Sequence, residues 1–240
     1  LTIEWLRGMK MSSTSISEFI RMDINIPVFR EGTWDSEIWE EARNYPANDF
    51  EGKVIIDLGA HIGGFTTLAA ESGAKMVYAY EAWRENFDVL KQNVEGYENV
   101  KINNLAVWKS RSLVKNVYWH DDFDATNTGG GGVFESTGIG FEVKSIGLDD
   151  VLTKSGPVDI LKIDIESSEF PVLYTSRMLG IVRGIVGEYH HGREGEHTDH
   201  QGNKYAYTIG DLKRYLENEG FCVAVEAHDE LVGEFAAFRL

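Results

Sequence analysis

Apolar runs and helix-period segments alternate along most of this chain. Val54, Ile55 and Ile56 form a short continuous apolar run of the kind that fills a buried strand, and Thr66 to Ala70 open a stretch of helix formers. MVYAYE, residues 76–81, is a second apolar run that ends in an acid. RENFDVLKQNVEG then places Phe87, Leu90 and Val94 on one helical face, with a stop near Gly96. VKINNLAVW reads as one further strand, ending around Leu105 and Ala106. SIGLDDVLTKSG predicts a short helix, VDILKID (158–164) a strand buried on both faces apart from Lys162, and SSEFPVLYTS a helix with Pro171 in its first turn. GIVGEYHH repeats the strand pattern, TIGDLKRYLENEGF predicts a helix, and FCVAVE with EFAAFRL form the closing strands. Strands alternating with helices in this way predict an α/β fold around a mainly parallel sheet.

Two regions depart from that rhythm. Residues 1–50 mix apolar patches with polar breaks, SSTS at Ser12–Ser15 marking a loop or helix start, and are expected to form a cap on a single globular domain of residues 51–240. Within the cap, WDSEIWEEARNY puts Trp34, Ile38, Trp39, Ala42 and Tyr45 at helical spacings, with Asp35 or Ser36 as N-cap and Pro46 past the end. These aromatics are expected to pack on the main sheet; a wall of a ligand cleft is the alternative. From Lys109 to Gly147 the runs VKNVYWH and FEVKSIGL flank the glycine-rich DATNTGGGGVFESTGIG, the pattern of a hairpin-like insertion. Gly129 to Gly132 cannot fill a core and read as a loop, either a connection or a lid near the substrate.

The candidate chemistry begins at the turn after the first strand. Asp57, Gly59 and Gly63 give D-x-G-x-x-x-G; the G-x-G-x-x-G of dinucleotide enzymes fails because Ala60 and His61 follow Gly59. Glycine lets the backbone come close to a ligand, and N–H groups at the start of the next helix favour a carboxylate or phosphate, although an ordinary α/β turn has the same composition. Glu81 lies 24 residues beyond Asp57. An acid at an offset of roughly 20 residues meets a ribose hydroxyl in nucleotide-binding βαβ units. A nucleoside with a carboxylate-bearing tail and no pyrophosphate describes S-adenosylmethionine better than NAD. Asp164 and Glu166 follow the 158–164 strand, at the carboxyl edge where α/β sheets place ligands, and Glu188, His190 and His191 end the next strand.

In order, VIIDLGAHIGGFT, YEAWRENFDVLKQNV, NLAVW, LDDVL and VDILKIDIESSEFPVL resemble the FkbM-type S-adenosylmethionine-dependent methyltransferases, over residues 30–190 or so. The K-I-D-[IV]-E core of the last block is the most specific part, since the first two blocks are common to many class I methyltransferases. Two departures stand out: His61 stands where the family usually has Asn, and Ser167-Ser168 where it usually has Gly-Ala. The resemblance implies a class I methyltransferase (Rossmann-like) fold: a seven-stranded, mainly parallel sheet with helices on both faces and a final antiparallel pair. It implies S-adenosylmethionine as cofactor, held by Asp57, Gly59, Ala60, His61, Gly63, Glu81, Ala82, Trp83, Asn104, Ala106 and Asp164. Among these, Asn104 and Ala106 would line the adenine, Asp164 would hold the amino group, and Asp57 would order the glycine turn. The implied reaction is O-methylation of a small-molecule or sugar hydroxyl, with Glu166, His190 and His191 as candidate bases. A non-catalytic nucleoside-binding protein of the same fold is the alternative, as is an NAD-type oxidoreductase, which the glycine spacing disfavours.

Composition narrows the partners. Of 240 residues, 39 are acidic and 23 basic, a net charge of −16, which disfavours duplex nucleic acid because neutralising its phosphates requires a basic surface. Cys222 is the sole cysteine, so no intramolecular disulfide forms; it is expected in a core strand. No apolar run approaches the ~20 residues that span a bilayer, and no signal peptide is evident, so a cytoplasmic protein without membrane partners is expected. Four of the seven histidines fall between residues 190 and 200, but their spacings match no H-x-x-x-H helix, and no metal is expected. Nothing in the sequence sets an oligomeric state.

Overall fold

The computed structural model describes residues 26–44, 50–112, 116–120, 126–134, 140–191, 194–199 and 202–239. Ser12–Ser15, Tyr45, Pro46 and His200, which enter the expectations above, lie outside the described residues. The chain runs α1 (Asp35–Ala42), β1 (Val54–Leu58), α2 (Gly64–Glu71), β2 (Met76–Tyr80), α3 (Arg84–Asn93), β3 (Val100–Asn103) and β4 (Ala106–Trp108). It continues through β5 (Asn116–His120), β6 (Gly132–Phe134), β7 (Phe141–Gly147), α4 (Leu148–Ser155), β8 (Val158–Ile163), α5 (Glu169–Thr175) and β9 (Val182–His190). The last elements are β10 (Glu196–Thr198), β11 (Lys204–Ala206), α6 (Ile209–Asn218), β12 (Cys222–Ala227) and β13 (Val232–Phe238).

Seven strands form the central sheet in the order β12, β13, β9, β8, β1, β2, β3. Neighbours from β3 to β9 are parallel, and β13 pairs antiparallel with both β9 and β12. The α/β class, the parallel majority and the antiparallel closing pair are those expected from the sequence. β1 and β8 are apolar apart from Asp57, Asp159 and Lys162, because both their faces are covered. Ile55 packs with Phe65 and Ala69 of α2 on one face, while Ile56 and Leu58 join Leu152 of α4 and Phe170 of α5 on the other. Each such side chain taken fully out of water contributes roughly 1.5–3 kcal/mol. Because the five parallel strands point the same way, Leu58, Tyr80, Ile163 and the end of β9 open onto one edge of the sheet.

Several local expectations are corrected. The run VKINNLAVW is two strands in different sheets, because Asn104 donates from Nδ2 to the carbonyls of Glu81 and Ala82, at 2.9 and 3.1 Å, and so turns the chain. β4 then pairs with β7 in a four-stranded sheet, order β4, β7, β5, β6, whose last three strands fall in the hairpin-like insertion expected over 109–147. β12 is an edge strand, and Cys222 on it is exposed rather than in the core. Part of the expected polar loop after residue 191 is the β10/β11 hairpin. Helix α1 begins at Asp35 without a side-chain cap, since that carboxylate is turned inward. The helix packs on α2 rather than on the main sheet: a Cβ on Gly64 would lie 2.9 Å from Ala42 Cβ and 3.0 Å from the Trp39 carbonyl. Among the described residues, no helix is long and apolar enough to cross a membrane.

Candidate active site

The turn after β1 is fixed by sterics. Gly59 has φ +77°, and a Cβ there would sit 1.7 Å from the Asp164 carbonyl oxygen, so the turn lies directly on the end of β8. The N–H groups of Gly59 and Ala60 donate to the Tyr80 carbonyl, at 3.1 and 3.0 Å, which ties the same turn to the end of β2. Gly63 has φ +102°, and a Cβ there would meet Leu90 Cδ1 at 2.8 Å, so α3 packs closely on this position.

Glu81 stands just past β2, 4% exposed, with both oxygens engaged by backbone. Oε2 accepts from the His61 N–H and Oε1 from the Trp83 N–H, each at 2.8 Å. Burial pushes its carboxyl up to about 7, while the two N–H groups, and Lys162 at longer range, hold it down against the burial. Each carboxylate oxygen keeps a second lone pair for a ligand hydroxyl.

Above this turn lies a polar clasp. His61 Nε2 is 2.8 Å from Thr128 Oγ1, and Thr128 Oγ1 donates to Asp35 Oδ1 at 2.7 Å. Arg30 grips both Asp35 oxygens, at 2.9 and 2.8 Å, and reaches Asn86 Oδ1 at 2.7 Å. Burial works against the Asp35 charge, but hydrogen bonds from Arg30 and Thr128 prevail and hold its carboxyl down to about 2. Burial lowers the His61 imidazole to about 4, so its 3.9 Å approach to Asp35 is not an ion pair near neutral pH. The histidine that replaces the family's asparagine is thus a neutral link between turn and roof.

Lys162, which the sequence marks only as the exception on an apolar strand, stands at the centre of this turn. The register pairs Asp57 with Lys162, so both side chains emerge side by side from β1 and β8. Lys162 is 4% exposed, donates to the Gly59 carbonyl at 3.0 Å and lies 3.4 Å from Asp57 Oδ1 and 3.5 Å from Asp164 Oδ2. Asp57 also accepts from Thr66 Oγ1 at 2.5 Å, which locks α2 onto the strand. A lone lysine on an apolar strand is the available sequence signal; its partner is set only by strand pairing.

The opposite end of the site is acidic. Glu166 and Ser167 both have left-handed backbones, φ +50° and +67°, which cost of order 1–3 kcal/mol each for a non-glycine residue. This turn delivers the Glu166 carboxylate 3.6 Å from His190 Nε2, beside Glu188 Oε2 at 3.5 Å, while Glu169 Oε1 stands 3.3 Å from His190 Nδ1. Burial opposes charge on the His190 imidazole, but its bonds to Glu169 and Glu188 and their charges outweigh this and raise it well above the usual range. Glu166 is raised too, by burial first, with His190 opposing and Asp164, Glu169 and Glu188 adding to it.

These pieces surround one cavity of about 330 Å³. Of the expected cofactor residues, Gly59, His61, Glu81, Ala82, Ala106 and Asp164 line it. Asp57, Ala60, Gly63, Trp83 and Asn104 lie behind that lining and hold it in place. Of the expected bases, Glu166 lines the cavity. His190 stands behind Glu166. His191 is directed elsewhere: its Nε2 accepts from the Ile209 N–H at 3.2 Å and its ring packs on Phe170 and Tyr189. The roof includes Trp34, Ile38 and Ala42 of the cap and Gly129 to Gly131, whose turn is held by Asn127 Oδ1 accepting from the Gly129 and Gly130 N–H groups. The wall-of-the-cleft alternative therefore describes the cap.

The methyltransferase FkbM domain model matches residues 57–223, and the chain belongs to that family. A 53-residue stretch is 42% identical to rice proteins named "Probable histone-arginine methyltransferase CARM1", covering 22% of this chain. That stretch spans 9% of the length of those curated relatives. Among solved structures, precorrin-6y C5,15-methyltransferase from Geobacter metallireducens aligns over 89% of this chain and 93% of its own at 10% identity, with TM-score 0.48. A SAM-dependent methyltransferase from Aquifex aeolicus aligns over 96% of this chain and 100% of its own at 12% identity, with TM-score 0.40. Neither structural likeness is strong enough to bear on activity.

Proposed function

We propose that this protein is an S-adenosylmethionine-dependent O-methyltransferase acting on a small-molecule or sugar hydroxyl. The observation that carries the reading is the joining, around one cavity, of the Gly59 turn, the buried Glu81 carboxylate and the Asp164/Glu166 pair at the ends of β1, β2 and β8. The donor set fits the cofactor: Glu81 suits a ribose diol, Ala106 the adenine and Asp164 the amino group, and about 330 Å³ is within the range of small-molecule sites. The bound cofactor supplies a methyl group on a sulfonium, ready for in-line displacement. Glu166 faces the acceptor side and takes the hydroxyl proton, and Lys162 holds Asp164 and the Gly59 carbonyl in position. Thermal shift tests the donor: S-adenosylhomocysteine should raise the melting temperature and NAD should not, because a ligand of the native state stabilises it. A shift with NAD alone would return the chain to the oxidoreductase reading. Binding of S-adenosylhomocysteine with no turnover on any hydroxylated acceptor would favour the non-catalytic one.

Glu81 gives a second, quantitative expectation. Glu81→Ala should weaken S-adenosylhomocysteine by about 1–3 kcal/mol, the range for a lost hydrogen bond to a charged group. Because its carboxyl titrates at about 7 and the ionised form accepts the diol, binding at lower pH must first expel a proton. Affinity should therefore fall as pH drops below 7 and level off above it, and Glu81→Gln should flatten that dependence. Calorimetry across this range checks it; an equal slope in the variant would remove Glu81 from the donor site.

A further inference from the structure

The acidic end of the cavity holds a group that neither the cofactor nor the base accounts for. Glu169 is fully buried. Its Oε1 accepts from the Ile165 N–H at 2.9 Å and lies 3.3 Å from His190 Nδ1, while its Oε2 has no hydrogen-bond partner among the described residues. Burying a carboxylate oxygen with no donor is costly unless a cation or a ligand meets it. Asp164, Glu169 and His190 each bring a ligand atom to within 4.8 Å of the others. Glu166 and Glu188 flank them, so four carboxylates surround one imidazole, and Lys162, near Asp164, is shared with Asp57. The cluster carries more negative charge than the neighbouring cations offset.

We propose that Asp164, Glu169 and His190 form a binding site for a divalent first-row cation. Two carboxylates and an imidazole, which releases its proton to solvent as the ion binds, suit Mn²⁺, which accepts both oxygen and nitrogen donors; the softer thiolate-seeking ions have no ligand here. Glu169 and His190 form the buried side of the site. Asp164, Glu166 and Glu188 line the cavity, so the ion's open positions face the space assigned to the acceptor, where it can hold a hydroxyl oxygen. The ligand set is argued from its own geometry, and does not depend on which methyl donor the protein uses.

The test is calorimetric titration of the full chain with MnCl₂, with S-adenosylhomocysteine titrated on the same preparation, followed by pulsed EPR of the Mn²⁺-loaded protein. One ion per chain is expected, with nitrogen modulation from the imidazole in the EPR spectrum. Glu169→Gln and His190→Gln should each weaken uptake by at least about 10- to 100-fold, the range already seen on losing a group that only orients a ligand, and the nitrogen signal should vanish in His190→Gln. The wild-type EPR signature needs no variant, so a misfolded Glu169→Gln leaves the inference testable. Absence of saturable Mn²⁺ uptake, or uptake with no nitrogen modulation, overturns it. Mn²⁺ uptake by a chain that does not bind S-adenosylhomocysteine would keep the ion site and remove the donor reading; the reverse result would remove the ion site alone.

Discussion

Glu166→Gln is expected to lower methyl-transfer turnover by about two to four orders of magnitude while leaving S-adenosylhomocysteine affinity near that of the wild type. Glutamine keeps the size of the side chain and removes its capacity to accept a proton. The side chain lines the cavity and is 31% exposed, so solvent and an acceptor can both reach it. Capping of α5 is not its role, because Ser168 is the N-cap residue and the Ile165 N–H goes to Glu169. What holds it is the pair of left-handed residues at 166 and 167, a conformation kept in spite of its cost where the family usually places glycine at the second position. Single-turnover methyl transfer, on the first hydroxylated acceptor that the wild type converts, and melting curves on the same preparation separate chemistry from stability. A stable variant with wild-type turnover would end the assignment.

Gly59→Ala carries the largest expected effect on stability. The left-handed backbone alone costs roughly 1–2 kcal/mol for alanine. The new methyl would also overlap the Asp164 carbonyl, 1.7 Å away, and must push the end of β8 aside at a further ~1–3 kcal/mol. Gly96→Ala is the control, since Gly96 has φ +95° but nothing within 4 Å of its Cβ, and should show the backbone cost alone. Urea unfolding of both variants measures the difference. An equal loss in the two would mean that the turn does not rest on β8. Donor affinity should fall with Gly59→Ala only, because moving Asp164 moves the partner of Lys162.

The parts of the site that were legible in the sequence are those encoded locally. A strand end, a glycine turn and an acid after the next strand sit within one βαβ unit, so Gly59 and Glu81 could be placed from spacing, and Asp164 and Glu166 from the end of a single apolar run. Lys162 was not legible, because its meaning depends on the β1/β8 register that sets it beside Asp57. Asp35 looked like a helix cap; its partner Thr128 is 93 residues away, and no local pattern reports a contact of that range. The break at Asn104 was missed because VKINNLAVW is apolar enough to be one strand, and the hydrogen bonds that bend it come from the backbone after β2. At Gly63 the positive φ requires glycine, and its contact with Leu90 of α3 is a long-range one that local spacing does not report.

The clasp formed by Arg30, Asp35, Thr128 and His61 divides the cavity into halves under different constraints. The floor is held by backbone: strand ends, a turn pressed on a carbonyl, a lysine caught between neighbouring strands. Few substitutions there leave the geometry intact. The roof is held by side chains from the cap and the insertion that meet at one buried carboxylate, and its Trp34, Ile38 and glycine-rich surfaces can change without disturbing a strand. On the reading proposed above, residues 26–44 and 126–131 can therefore reshape the acceptor side of the cavity while the strand-end floor is left alone. The clasp marks the seam along which the specificity of such an enzyme is free to drift.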